Sequence, residues 1–143
     1  MMRAASACAS GWPCTTAASY NPRYFAIISI GFCCPGKGKS GDLPPRRECG
    51  ELWIGRLPAA LPNIELRILV GNYAQAYYLG ERCKPTLTAT VRHWRDYWPE
   101  YVPLPHTSPR NIGWLKADPW LEKEVNPALR RHPAMHGTYK EIR

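Results

Sequence analysis

Short apolar runs separated by helix-length segments are the feature that most constrains how this chain can fold. Residues 25–30 and 66–70 are continuous and rich in branched aliphatic side chains, as expected of strands buried on both faces. Residues 101–104 form a third, shorter strand candidate. Because strands that alternate with helices favour a parallel sheet, we expect an α/β fold, a three-layer α/β/α sandwich.

The segments between and after these runs predict helices. Two consecutive prolines at positions 44 and 45 mark the first helix entry, since proline suits the first helical turn. The apolar spacing elsewhere follows a helical period, with Val91, Trp94 (or Arg95) and Trp98 on one face. Helices are predicted over residues 44–61, 73–79, 88–98 and 114–131.

The loops that carry polar chemistry follow the predicted strands, where parallel α/β folds bind their ligands. The loop over residues 31–42 is rich in glycine, and Gly38, Lys39 and Ser40 resemble the end of a phosphate-binding loop. Cys33 stands where that motif requires its first glycine, so a nucleotide-hydrolase loop is not predicted. Lys37, Lys39 and the backbone N–H groups could instead hold a DNA phosphate.

The charge of the chain restricts its partners. The 143 residues carry a net charge of +8, with a pI of about 9.4, which favours a polyanion such as nucleic acid. No apolar stretch approaches the roughly 18 residues of a membrane-spanning helix. We therefore expect no contact with a membrane. We also expect the protein to be cytoplasmic and monomeric.

The six cysteines are expected to be reduced. The N-terminus carries a charge but lacks the apolar segment of a secretory signal. Without export, a disulfide framework is disfavoured. Metal ligation and burial as small apolar side chains both remain open for these residues.

The loop over residues 105–111 is the densest group of polar side chains. It holds His106 between two prolines, with Ser108, Arg110 and Asn111 close by. A single histidine after a strand is commonly a structural hydrogen-bond donor. This histidine also stands at the expected mouth of an α/β site, where it suits catalysis.

The sequence HTSPRN over residues 106–111 resembles the second active-site motif of the uracil-DNA glycosylase superfamily. That motif is His-Pro-Ser-x-x-Asn in several branches and His-Pro-Ser-Pro-Arg-Asn in the single-strand-selective branch, so Thr107 replaces a proline. Residues 31–46 and 69–80 are similar to a bacterial group of uracil-DNA glycosylase family proteins. The resemblance extends from about Tyr20 to Arg131.

This resemblance implies a base-excision repair enzyme that flips uracil out of DNA and hydrolyses the bond between base and sugar. It assigns His106 to stabilising the departing uracil anion, and it places Asn111 in the catalytic loop, where that residue fixes the conformation. Ser108 and Arg110 would press on the DNA backbone. The candidate residues of the substrate pocket are Gly31, Phe32 and Tyr73.

Cys33 and Cys49 resemble the second cysteine pair of the iron–sulfur branch, in which four thiolates hold a 4Fe-4S cluster. The first pair of that branch, Cys-x-x-Cys, has no counterpart, and the spacing of Cys8 and Cys14 does not supply one. We therefore expect no cluster in this chain. Two inert buried thiols are the alternative for Cys33 and Cys49.

Other family features are missing. The first motif, Gly-x-x-Pro-Gly, carries or places the water-activating group and is absent, and Ser29 stands near the uracil-recognising Asn of the iron–sulfur branch. A GC-rich back-translation of residues 6–19, shifted by two nucleotides, yields the helix that the family has there. We therefore predict an out-of-frame segment over residues 1–19 and a partial glycosylase domain over residues 20–143. The central first strand would then be missing, and we expect a poorly stable chain.

Three functions follow from these observations. The first is a uracil-DNA glycosylase with His106 as the group that stabilises the leaving base. The second is a catalytically inactive remnant that holds DNA through its basic side chains, and the third is an iron–sulfur or redox protein built on Cys33 and Cys49. The basic side chains of the second hypothesis are Lys37, Lys39, Arg46, Arg47 and Arg110.

Overall fold

A computed structural model of the protein describes residues 25–39, 41–108 and 111–135. The predictions for residues 1–19 and for Arg110 lie outside these residues. The elements of the described chain are, in order, β1 (Lys37–Gly38), β2 (Gly41–Asp42), α1 (Arg47–Cys49), a π-helical turn (Gly50–Ile54), α2 (Leu57–Ala60), β3 (Arg67–Val70), α3 (Asn72–Leu79), a 3-10 turn (Gly80–Arg82), α4 (Leu87–Arg92), a 3-10 turn (Trp94–Asp96), β4 (Tyr101–Leu104), α5 (Ile112–Ala117), a π-helical turn (Leu121–Val125) and α6 (Asn126–Arg131).

The strands β3 and β4 form a parallel pair, as the sequence predicts. Their register places Arg67 opposite Tyr101 and Val70 opposite Leu104. The connection between them carries α3 and α4, which is the crossover that parallel strands require. The remaining strands, β1 and β2, form a small antiparallel hairpin within the glycine-rich loop.

Helices cover both faces of the parallel pair, so the expected α/β architecture is confirmed. On one face, Val102 packs with Val91 and Trp94 of the α4 region and with Leu129 of α6. On the other face, Leu69 packs with Leu79 of α3 and with Tyr97. Adjacent residues of the strands thus face opposite layers, as the alternation of side chains in a strand requires.

The predicted strand over residues 25–30 is wrong. This segment is irregular, and Ile27 is 78 % exposed. An apolar run becomes a strand only where a neighbouring strand pairs its backbone N–H and C=O groups. Within the described residues, the sheet that contains β3 has no other member than β4.

The predicted helices are present, but they are shorter and interrupted. Thr86 caps α4, because its side chain accepts a hydrogen bond from the N–H of Ala89 at 3.1 Å. The chain tightens into a 3-10 turn at Trp94, so the helix predicted to reach Trp98 ends early. The predicted C-terminal helix is divided at Asp118, before Pro119.

Asp118 joins the two halves of this C-terminal helical region. Its carboxylate accepts hydrogen bonds from the guanidinium of Arg92 at 2.8 Å and from the indole N–H of Trp120 at 2.9 Å. The Arg92 bond and then the Trp120 bond hold the pKa of the Asp118 carboxyl below its ordinary value. Asp118 is buried. Because Arg92 belongs to α4 and Trp120 precedes the Leu121–Val125 turn, the two bonds connect α4 to the start of this turn.

We expect Asp118→Asn to lower the free energy of unfolding at neutral pH and to flatten its dependence on acid. A carboxyl whose pKa is lower in the folded state stabilises the fold above its unfolded pKa, and that stability is lost as the pH falls through the folded pKa. Urea denaturation at pH 7 and pH 3 would show the two proteins converging at the lower pH. Glu51→Gln is the control, because its exposed ion pair with Arg47 should contribute little. Parallel curves for the wild type and Asp118→Asn would contradict the prediction.

Within the part of the chain that the structure describes, no helix has both the length and the apolar character to cross a bilayer.

Candidate active site at the ends of the parallel strands

His106 lies beyond the carboxyl end of β4, against the residue that follows β3. The N–H of Gly71 donates a hydrogen bond to the carbonyl of Leu104 at 2.9 Å, which continues the pairing of the strands by one step. A Cβ atom at Gly71 would lie 3.3 Å from both Cβ and Cδ2 of His106. The imidazole therefore packs directly on the backbone of Gly71.

The backbone of Gly71 has φ 83° and ψ 171°, a region that only glycine occupies readily. This conformation turns the chain from β3 into the first turn of α3. The position thus needs glycine for two reasons, its dihedral angles and the ring of His106 beside it. In the sequence, Gly71 marks only the end of an apolar run.

The hydrogen bonds of His106 fix which ring nitrogen carries the proton. The backbone N–H of Ser108 donates to Nδ1 of His106 at 3.1 Å. In a neutral imidazole the other nitrogen, Nε2, then carries the hydrogen. His106 is exposed, so its Nε2–H can donate to a molecule that approaches the strand ends.

Asn111 closes the loop that holds His106. Its side-chain Nδ2 donates to the carbonyl oxygen of His106 at 2.6 Å, and its backbone N–H donates to the carbonyl of Ser108 at 2.9 Å. These contacts make Asn111 a positioning residue for the loop. Arg110 lies outside the described residues.

Asn111→Ala is expected to loosen this loop without unfolding the domain. The substitution removes a hydrogen bond worth about 0.5–1.5 kcal/mol, so local opening should become about two- to tenfold more frequent. Hydrogen exchange of the Ser108 amide, followed by NMR, measures this change. The amide of Gln75, inside α3, is the internal control and should exchange at its original rate. Equal protection of Ser108 in both proteins would show that Asn111 does not hold the loop.

Gln75 is a buried polar residue near the site that the sequence motifs do not identify. Its Nε2 donates to the carbonyl of Leu104 at 2.9 Å and, at 3.4 Å, to the carbonyl of Leu69. The two carbonyls belong to neighbouring strands, just before Gly71 and His106. One signal was available in the sequence: a glutamine four residues after Gly71, flanked by alanines and followed by two tyrosines and a leucine.

Tyr73 stands on the first turn of α3 with its side chain 52 % exposed. It is two residues from Gly71 and thus close to the backbone on which His106 packs. An exposed aromatic ring at this place offers a surface on which a flat group can stack. Its membership of a substrate pocket remains a prediction.

The other predicted site residues lie on the segment before β3. A Cβ atom at Gly31 would be 3.0 Å from Cβ of Pro45, and the exposed ring of Phe32 contacts the ring of Trp53 at 6.3 Å between centroids. Lys37 and Lys39 are exposed on the β1–β2 hairpin. The hydroxyl of Tyr77, on α3, donates to the carbonyl of Gly50 at 3.4 Å and connects this segment to the parallel pair.

Cys33 and Cys49 are joined in a disulfide bond, which differs from the expectation that the cysteines are reduced. The resemblance pairs the same two residues, and the structure does bring them together. Cys49 is buried in α1, whereas Cys33 comes from the glycine-rich loop, so the bond ties that loop to the helix. Sequence spacing alone does not distinguish bonded sulfurs from two ligands of a shared metal.

The described residues do not fit a four-thiolate cluster. Bonded sulfurs are not thiolates, and a 4Fe-4S cluster needs four of them. Within residues 25–39, 41–108 and 111–135, no group of three or more His, Cys, Asp or Glu side chains could hold a metal ion.

The fold and the site together define a class: an α/β domain with a hydrogen-bond donor fixed at the carboxyl ends of parallel strands. The family model described as Uracil DNA glycosylase superfamily matches residues 9–130 of the 143. The chain belongs to this superfamily. Membership supports DNA as the partner and DNA glycosylase chemistry as the class of activity. The match begins before Tyr20, where the motif-based resemblance starts, and the predicted division at residue 19 remains a prediction.

Proposed function

We propose that this protein excises uracil from DNA by hydrolysing the N-glycosidic bond, with Nε2–H of His106 stabilising the departing base. The observation that carries the proposal is the Ser108 N–H bond to Nδ1 of His106, which leaves the Nε2–H free to donate. Gly71 supports the ring from the side of the sheet, so the donor is fixed before the substrate arrives.

The chemistry needs a donor that acts late in the reaction. When the bond between C1′ of the sugar and N1 of uracil breaks, the bonding electrons leave with the base, and negative charge spreads onto its carbonyl oxygens. A hydrogen bond from Nε2–H to one of these oxygens becomes stronger as the charge grows, so it lowers the barrier more than it tightens binding. Water then adds to C1′, and the proton that it loses balances the charge of the departed base.

The DNA must present the uracil outside the base stack for His106 to reach it. Exposed Lys37 and Lys39 on the hairpin supply positive charge for the phosphate backbone. Tyr73 supplies an aromatic surface beside the strand ends. In this proposal the lysines control affinity and its dependence on salt, whereas His106 controls the rate of bond cleavage.

The proposal is tested with an oligonucleotide that contains one uracil. Excess protein is incubated with single-stranded and double-stranded forms, and abasic sites are converted to strand breaks with alkali. Matched oligonucleotides with thymine or cytosine at the same position are the controls. We expect breaks only at uracil. Equal breaks at all three bases, or none at uracil with protein that demonstrably binds the DNA, would contradict the proposal.

A DNA-binding role without excision is the second candidate, and one sequence observation favours it. The 143 residues contain no Gly-x-x-Pro-Gly, the family motif that carries or places the water-activating group. In that case the protein would bind DNA with an affinity that falls steeply with salt. Binding that persists without any breaks at uracil identifies this candidate.

A further inference from the structure

Gln75 connects the ends of both parallel strands through one side chain. It lies in α3 and is 1 % exposed. A glutamine amide has two N–H hydrogens, and Nε2 of Gln75 has two carbonyl acceptors, Leu104 at 2.9 Å and Leu69 at 3.4 Å. The side chain therefore bridges β3 and β4 close to the last residue pair of their register, Val70 and Leu104.

The same residues form a closed set of contacts that reaches His106. The carbonyl of Leu104 accepts from Gln75 and also from the N–H of Gly71, at 2.9 Å in each case. The carbonyl of Gly71 accepts from the backbone N–H of Gln75 at 3.2 Å. Gly71 in turn lies against the imidazole of His106. Any change in the separation of the strand ends would therefore move the surface on which the ring rests.

An apolar side chain would fill the same volume without the free-energy cost of burying a polar amide. Burying an amide without partners costs free energy, so a buried glutamine contributes only when its hydrogen bonds are made. Gln75 donates both of its hydrogen bonds to carbonyls near the ends of β3 and β4. Beyond these carbonyls the two strands diverge, β3 into α3 and β4 into the His106 loop. The amide thus extends the pairing of the strands at the point where backbone pairing ends.

We propose that Gln75 is a positioning residue for His106, which holds the strand ends at the separation that keeps the Nε2–H donor in place. The expected effect of Gln75 on the rate of uracil excision rests on the proposed function. The position of His106 itself does not depend on that function and can be measured separately.

Gln75→Met is the first variant, because methionine has a similar volume and no donor. We expect kcat for uracil excision to fall about tenfold while KM and DNA affinity stay within about twofold, since only the geometry of the transition state changes. Thr90→Val is the matched control. Thr90 is equally buried, and its hydroxyl bonds the carbonyl of Thr86 at 3.1 Å, within the α4 region rather than at the strand ends. Its loss should lower stability without lowering kcat.

Gln75→Glu supplies a second variant of the same shape. A carboxylate cannot donate to the two carbonyls, whereas the protonated carboxyl can donate to one of them. We expect kcat of this variant, relative to wild type at each pH, to recover as the pH is lowered. A ratio that is independent of pH would contradict a role for the donated hydrogen bond.

NMR of the histidine ring tests the positioning directly. In wild type, the ring nitrogen shifts of His106 should show the proton on Nε2, and the Ser108 amide should show its bond to Nδ1. Gln75→Met should shift both sets of signals, and Thr90→Val should shift neither. A folded Gln75→Met protein with wild-type His106 signals and wild-type kcat would overturn the inference. If the wild type excises no uracil, the proposed function fails, and the NMR comparison alone still decides the role of Gln75.

Discussion

Replacing His106 by Asn is expected to slow uracil excision by about 10²–10³-fold, while DNA affinity remains close to that of the wild type. The amide oxygen of asparagine can take the place of Nδ1 as the acceptor for the Ser108 N–H, so the loop keeps its conformation. No atom of asparagine reaches the position of Nε2. Single-turnover excision measures the loss, and fluorescence anisotropy with the same oligonucleotide measures affinity.

His106→Gln is the matched control for this experiment. Its side-chain amide can place an N–H near the position of Nε2, but it offers no acceptor at the position of Nδ1. It should therefore retain more activity than His106→Asn, although the loop that includes Ser108 is less well held. If His106→Asn excises uracil within about threefold of the wild-type rate, His106 does not stabilise the leaving base.

Gly71→Ala is expected to lower both stability and the rate of excision. The dihedral angles of Gly71 are nearly inaccessible to alanine, which costs about 1–3 kcal/mol. The new Cβ would also lie 3.3 Å from two atoms of the His106 ring, so the ring must move by a few tenths of an ångström. Because catalysis depends strongly on small displacements, we expect the rate to fall about tenfold or more.

Gly80→Ala separates the two effects. Gly80 also has a positive φ, 53°, but a Cβ atom there would meet nothing within 4 Å. Its substitution should lower the free energy of unfolding by a similar amount and leave the rate of excision unchanged. Urea denaturation and single-turnover assays of both variants make the comparison. Equal rates for Gly71→Ala and Gly80→Ala would show that contact with His106 has no consequence for catalysis.

The strands at residues 67–70 and 101–104 were predicted correctly from their apolar runs. The prediction holds because the two runs pair with each other in the structure. The run over residues 25–30 is also apolar but forms no strand, because an apolar composition does not show whether a neighbouring segment is there to pair with it. Pairing is a property of two segments. The pattern of apolar residues therefore indicates which segments could form strands. Only those segments that pair with a neighbouring strand do so.

The candidate site was predicted in part. The loop with His106, Ser108 and Asn111 is visible in the sequence because its polar residues are close together in the chain. Gly71 and Gln75 were missed, because the register of β3 and β4 alone brings Gly71 to His106 and Gln75 to the carbonyl of Leu104. A glutamine in a short helix is ordinarily a surface residue, so its place four residues after Gly71 is not enough to identify this one as buried.

Cys33 and Cys49 show another limit. Their resemblance to a ligand pair implied two thiolates on a shared metal, whereas in the structure the two sulfurs are bonded to each other. Whether two neighbouring sulfurs bond each other or a metal depends on the other ligands and on the redox state. Neither quantity is encoded in the distance between two cysteines along the chain.

The parallel register has a consequence for how this protein tolerates changes of length. Gly71 and His106 meet because Val70 and Leu104 are paired, so the length and register of each strand fix the position of one half of the site. Deleting a single residue within β4 would turn its side chains to the opposite face and carry His106 away from Gly71. An extra residue at Gly80, where a side chain would meet nothing within 4 Å, would leave the register of both strands unchanged. Insertions and deletions should therefore accumulate in the connections of this domain and be excluded from its two short strands.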